Sequence, residues 1–205
     1  DLNPHTLAVI SGYTVRSITL TACTTVLAIS KEIDAVEPNG LIGLDRNMDN
    51  VTSASSDGQV QRFDLSKSTE TKAKYREVKS HLKRNDVRIR RQIFRKYGEK
   101  QKNKVSQVLH HASKAIIQQA KDNKLGIVME NIKGIRKLYR RGNGQGNNYR
   151  SKLNSWSYAE LQRQIEYKAR WEGIKVIYVE ARGTSSKCST CGSKTYPNEH
   201  RLLFC

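Results

Sequence analysis

Several things are missing from this 205-residue sequence. It has no run of the roughly 18 apolar residues that a membrane-spanning helix needs, so no segment reads as a bilayer span. Its start lacks a basic stretch followed by an apolar one, and the expectation is an intracellular, cytoplasmic protein. The first residue is Asp1 rather than Met, as in an excised or fragmentary reading frame. Acidic residues are scarce, at 19 Asp and Glu against 37 Lys and Arg. Cysteine occurs at only four positions, and an intracellular setting disfavours disulfides between them. With 37% hydrophobic residues and two long periodic stretches, the chain reads as folded. Its length suits one ordinary domain with a small appendage.

The charge imbalance is local. Residues 67–150 hold 24 basic and 6 acidic residues, which accounts for the whole net charge of +18, while the remainder carries 13 of each sign. A basic block of this density is a footprint for a polyanion, because each phosphate it neutralises releases condensed counterions. A short charge run is usually a solvated helix face, but this one spans eighty residues. A membrane surface fits less well, since no apolar anchoring face accompanies the charge.

Thr, Val and Ile dominate residues 6–30 in loose alternation, as in Tyr13–Leu20, and suggest about two strands. Pro38-Asn39-Gly40 is a turn, followed by the short apolar strand Leu41-Ile42-Gly43-Leu44-Asp45, which ends in an acid. Strands over 50–54 and 59–63, joined by Ser56-Asp57-Gly58, complete a meander. Tyr75, Val78, Leu82, Ile89, Ile93 and Tyr97 predict one helix that Gly98 stops. Val105, Val108, Leu109, Ala112, Ile116 and Ala120 predict a second. Cations including Arg84, Arg88, Arg91 and Arg95 fill the opposite faces; His110 and His111 read as helix-surface residues.

A second apolar strand, Leu125–Glu130, also ends in an acid. The following segment carries Lys133, Arg136, Lys137, Arg140, Arg141 and Arg150 with Tyr139 and Tyr149 around a Gly/Asn-rich centre. A basic loop with interleaved aromatics suits phosphate contact and base stacking. Ser157-Tyr158-Ala159-Glu160 has the spacing of a capping box, starting a helix that Gly173 ends, before a strand over 174–179. Trp156 and Trp171 read as packing residues. The order is that of an α/β protein with a mixed sheet.

Two constellations carry chemistry. Asp45 and Glu130 each end an apolar strand, and ligands of open α/β sheets gather beyond the carboxyl ends of strands. If those strands are parallel neighbours, the carboxylates converge as hard oxygen ligands for Mg²⁺ or Mn²⁺. A pair of such ions about 4 Å apart activates water and stabilises the leaving oxygen in phosphodiester cleavage. Cys188-Ser189-Thr190-Cys191-Gly192 is a knuckle whose thiolates can share one Zn²⁺, with Cys205 thirteen residues after Gly192 as a third ligand. Cys23 lies in an apolar stretch and reads as an inert core residue.

Taken in order, Gly43-Leu44-Asp45, Val128-Met129-Glu130-Asn131-Ile132 and the segment 182–192 resemble the TnpB family, whose members are carried by insertion sequences and often called transposases. The resemblance runs from about residue 38 to the end, its last segment being the most specific. It implies an RNase H-like (RuvC) mixed sheet with flanking helices over residues 38–183, including a basic helical hairpin over about 67–122. Residues 1–37 resemble the tail of a β-rich domain, and 184–205 an incomplete zinc ribbon. It further implies a DNA target cut with Mg²⁺ (or Mn²⁺) under the guidance of a transposon-derived RNA, as in the nuclease half of type V CRISPR effectors. Asp45 and Glu130 match two catalytic carboxylates, and Cys188, Cys191 and Cys205 match three of four Zn²⁺ ligands. The family pattern continues to a fourth cysteine and a third catalytic Asp, absent from the residues here, so the expectation is nucleic-acid binding with weak or no cleavage. Two other readings stay open: a non-catalytic RNA- or DNA-binding protein, and a zinc-ribbon adaptor acting through protein contacts.

Overall fold

A computed structural model of the chain describes residues 3–82, 85–132, 134–135, 137, 144, 146–181, 183, 186–188, 191–197 and 203–204. Helix α1 (Pro4–Ile10) leads into a separate hairpin of β1 (Thr14–Leu20) and β2 (Thr25–Ser30). The main sheet begins with β3 (Gly40–Arg46), β4 (Asn50–Ser55) and β5 (Val60–Asp64), an antiparallel meander. Helix α2 (Ser66–Ser80) follows, then a π-helical turn (Ile89–Ile93) running into α3 (Phe94–Asp122). Strand β6 (Leu125–Asn131), helices α4 (Asn147–Asn154) and α5 (Tyr158–Trp171), and strand β7 (Val176–Glu180) complete the core. Two-residue strands β8 (Tyr196–Pro197) and β9 (Leu203–Phe204) pair near the end.

The five-stranded sheet has the order β5-β4-β3-β6-β7, with β3, β6 and β7 mutually parallel. Side-chain alternation explains which face is covered. Ile42 and Leu44 of β3, Val51 of β4, Phe63 of β5 and Ile127 and Met129 of β6 join one buried cluster. Against them pack Val105, Leu109, Ala112, Ile116 and Ala120 of α3 and Leu161, Ile165 and Ala169 of α5. Each large aliphatic group buried there contributes roughly 1.5–3 kcal/mol. The opposite face is more open: Leu41, Val60 and Val179 are all exposed. At the end of α5, Gly173 adopts φ +70, and a Cβ there would meet the Asp34 carbonyl oxygen at 2.3 Å. The Val36 amide donates to the Gly173 carbonyl at 3.0 Å, strapping the segment before β3 to the helix end.

The structure departs from the sequence reading in six places. Residues 6–10, read as part of a strand-forming stretch, lie in α1, where Pro4 opens the helix and the Asn3 side chain caps it by accepting the Thr6 amide at 2.7 Å. The helix expected to run from Tyr75 to Tyr97 is two, because α2 ends at Ser80 and Asp86 restarts the coil by accepting the amides of Arg88 (2.7 Å) and Ile89 (3.1 Å). Gly98 does not stop a helix; it lies inside α3, whose long apolar stripe outweighs the roughly 1 kcal/mol that glycine costs. Cys23 is exposed in the turn between β1 and β2 rather than in a core, since every residue of β1 is exposed and none of β2 is buried. Arg150 and Tyr149 sit on α4 rather than in a loop. Ser157 starts α5 without a capping bond from its side chain; its hydroxyl accepts from Lys72 Nζ, while Glu160 engages Arg163 and Gln164.

Candidate active site

The parallel pairing of β3 and β6 matches Leu44 with Met129. One residue further, the same register sets Asp45 opposite Glu130, both on the open face at the carboxyl end of the sheet. Two adjacent strands lie about 4.8 Å apart, so these carboxylates emerge side by side from rigid backbone. Asn47, in the turn after β3, donates from Nδ2 to Asp45 Oδ2 at 3.0 Å and to Asn50 Oδ1 at 3.4 Å. The indole of Trp156 donates to the Asn47 carbonyl at 2.9 Å, tying that turn to the start of α5.

Directly behind the pair lies Arg46, which the sequence reading overlooked. Alternation along β3 turns it to the covered face with Ile42 and Leu44, and it is 5% exposed. One guanidinium nitrogen donates to Gln162 Oε1 of α5 at 2.9 Å, and the other to the Glu130 carbonyl of β6. Burial lowers its pKa, a drop opposed by Tyr178, Glu130, Glu166 and Asp45; an arginine nevertheless remains a cation. The Tyr178 hydroxyl of β7 donates to Glu166 and accepts from Gln162 Nε2 at 3.1 Å. Burial, then the bond to Glu166, push that phenol up to about 12. Strands β3, β6 and β7 are thus laced to α5 immediately beneath the two carboxylates.

Hard oxygen donors on neighbouring strand ends fit a Mg²⁺ or Mn²⁺ ion, with water completing its shell. Among the described residues no group of three or more His, Cys, Asp and Glu side chains gathers as a metal set, and an ion at this sheet end would have Asp45 and Glu130 as its two candidate protein ligands. Glu180, the nearest further acid on β7, pairs with Asn131 and therefore faces the covered side.

At the other end of the chain, the Gly192 amide donates to the Cys188 carbonyl (3.0 Å) and the Cys188 amide to the Ser193 carbonyl (2.8 Å), closing the knuckle. Gly192 has φ +70, a conformation glycine adopts without strain. Cys188 is half-buried and Cys191 exposed. Two thiolates suit half of a tetrahedral zinc site. Cys205 lies outside the described residues.

The basic residues divide into two kinds. Arg88, Arg91, Arg95 and Lys137 are exposed, Arg95 pairing with Glu99 at 3.0 Å, and Arg150 is half-buried. Arg84, Lys133, Arg136, Arg140 and Arg141 lie outside the described residues. Three cations of α2 bind protein instead: Lys72 reaches the Ser155 carbonyl and Ser157 hydroxyl, Arg76 the Ser151 carbonyl (3.3 Å), and Lys79 the Gln101 amide oxygen (2.9 Å). No helix among the described residues is long and apolar enough to cross a membrane.

Residues 158–205 match the family described as Cas12f1-like, TNB domain. The chain is 32% identical over 189 residues to the TnpB-like protein MJ0751 of Methanocaldococcus jannaschii, covering 88% of this chain and 66% of that protein. It is 35% identical over 85 residues to the CRISPR-associated endodeoxyribonuclease Cas12f1 of Sulfoacidibacillus thermotolerans, covering 41% of this chain and 18% of that one. In fold it is similar to a solved Cas12f1–sgRNA–target DNA complex, with a TM-score of 0.57, 19% identity, and coverage of 86% of this chain and 53% of that one. The chain therefore spans about two thirds of the TnpB-like relative's length and under a fifth of this Cas12f1's. The similarity to the TnpB-like protein extends over 88% of the chain, and the chain belongs to the TnpB family.

Proposed function

We propose that this chain is the nuclease part of an RNA-guided DNA endonuclease, with an RNase H-like (RuvC) core over residues 38–183, a β-rich segment over 1–37 and a zinc ribbon over 184–205. The observation that carries the reading is the register of β3 on β6, which sets Asp45 beside Glu130 at the carboxyl end of a mixed sheet. Bound there, Mg²⁺ would supply a lowered water pKa and charge stabilisation at the phosphodiester. Asp45 and Glu130 hold the ion; Asn47 orients Asp45; Arg46 and Gln162 keep the two strand ends together from behind. Cys188, Cys191 and Cys205 contribute zinc ligands that shape the ribbon. The exposed cations of the π-helical turn and α3, with those of residues 133–150, face the RNA and DNA backbones. The relatives' names support this reading, being endodeoxyribonucleases and a complex with guide RNA and target DNA.

The test compares the chain with Asp45→Ala and Glu130→Ala, each given Mg²⁺, the RNA of its source element and a matching DNA duplex. Cleavage falls roughly 10³-fold or more in either variant, as the loss of several kcal/mol of transition-state stabilisation requires. Binding stays within about twofold, because phosphate contacts lie elsewhere. Unchanged cleavage in both variants sinks the assignment. Weak cleavage is the outcome expected of these 205 residues, and guide-independent binding with no cleavage in either Mg²⁺ or Mn²⁺ favours the non-catalytic RNA- or DNA-binding alternative.

A further inference from the structure

The strand register places one more residue in line with the carboxylates. Asp45 of β3 pairs with Thr52 of β4, and Thr52 pairs with Arg62 of β5. Glu130 of β6 pairs with Val179 of β7. In-register partners share a face of the pleat, so the row across the open side reads Arg62, Thr52, Asp45, Glu130, Val179. We infer that Arg62 is a phosphate-anchoring residue that grips the backbone of a nucleic-acid strand lying across this row, a few nucleotides from the bond presented to Asp45 and Glu130.

Geometry and charge agree. Arg62 stands two strand spacings from Asp45, about 10 Å, which a nucleic-acid strand crosses in about three nucleotides at its rise of about 3.4 Å each. A cleft of about 680 Å³ opens along this end of the row, lined by Asn47, Asn50, Thr52, Arg62, Thr69 and Lys152 among others. Its volume suits a sugar–phosphate unit, and its walls carry two cations, Arg62 and Lys152, while the donors of Asn47, Thr52 and Thr69 already serve protein acceptors. Asp49, also in the cleft, accepts from Asn50 Nδ2 at 2.7 Å. Asp64, the nearest acid along β5, accepts the Ser66 amide (2.8 Å) and hydroxyl (2.9 Å); those bonds hold its pKa down, with Arg62 a lesser influence. The Arg62 side chain has no hydrogen bond or ion pair among the described residues. That separates it from Lys72, Arg76 and Lys79, whose donors serve the fold. A guanidinium with unspent donors beside a polar cleft is suited to bidentate phosphate contact.

This inference rests on the carboxylates being the cutting site for its meaning, but its test does not. The 205-residue chain is titrated with a short single-stranded DNA in Mg²⁺-free buffer over a range of salt. Arg62→Gln reduces the slope of log K against log salt by about 0.7, the share of one single-strand phosphate contact. Arg62→Lys restores it, since an ammonium also holds phosphate, and adding Lys152→Gln to Arg62→Gln doubles the loss. Arg62 is exposed on an edge strand, so a urea midpoint equal to the parent's verifies that the fold is intact. A salt slope and affinity unchanged in Arg62→Gln overturn the inference. Failure of the nuclease reading appears in cleavage with Mg²⁺ present, and failure of the anchor in the salt slope measured without it.

Discussion

The two candidate metal sites of this chain are built by opposite means. Asp45 and Glu130 stand on neighbouring strands of a five-stranded sheet, backed by α3 and α5 and braced from beneath by Arg46. Their geometry is prepaid by the core and exists without an ion. Cys188 and Cys191 stand on a turn held by two backbone bonds, an isolated bridge between Lys187 and Lys194, and the two-residue strands β8 and β9. Thr195 is the one buried residue described in that region. Little apolar surface is available there to oppose chain entropy, and in such small elements the metal itself supplies folding free energy. Carboxylates on rigid strands suit exchangeable ions and turnover, whereas thiolates on a loose turn suit a permanent structural ion.

Three perturbations bear on that contrast. The largest effect is expected from Arg46→Ala, which leaves a void and strands the Gln162 amide and Glu130 carbonyl without their donor. Its cost is about 2–3 kcal/mol of global stability, read as a lowered urea midpoint, and cleavage falls with it. An unchanged midpoint would mean that the carboxylate end is not braced from beneath.

A smaller effect belongs to alkaline pH. Tyr178 has its phenol pushed from 10.0 up to about 12, so the folded state keeps a proton that the unfolded chain releases. Stability from this group is fully present below pH 10 and declines as pH rises from 10 to about 12. Since Tyr178 is partly solvated, solvent screening limits the effect to about 1 kcal/mol. Tyr178→Phe should flatten this part of the stability curve, and an identical curve in the variant assigns the decline to other groups.

The smallest global effect is expected from replacing both Cys188 and Cys191 by serine. The urea transition of the sheet moves by less than about 0.5 kcal/mol, while amide exchange across 186–197 accelerates when zinc can no longer be held. If the double variant instead unfolds the whole chain, the knuckle is part of the core and the contrast between the two sites fails.

Much of this was legible in the residues. Alternation over Leu41–Asp45 and 50–63 located the meander, and the i, i+3, i+4 stripe from Val105 to Ala120 located the main packing helix. Asp45 and Glu130 were marked by their places at apolar strand ends. Arg46 was marked too, in principle: a period of two starting at Ile42 puts it on the covered side, but an arginine there invites a surface reading. The break near residue 85 was harder to see, because the apolar spacing continues across it and one short acid, Asp86, restarts the helix. Cys23 was misplaced because an apolar neighbourhood in sequence does not guarantee a covering layer in space.

Local physical chemistry therefore determined the elements, the concentration of charge, the metal-binding residue types and the family resemblance, since all of these depend on residue type at short separations. Strand order and register were decided only by tertiary structure. Which strand lies beside β3 depends on burying α3 and α5 against one face of the sheet, a choice made by contacts between residues far apart in sequence. That choice sets Glu130 rather than another acid beside Asp45, turns Glu180 away, ties Lys72, Arg76 and Lys79 into the fold, and leaves Arg62 in line with the carboxylates with its donors unspent.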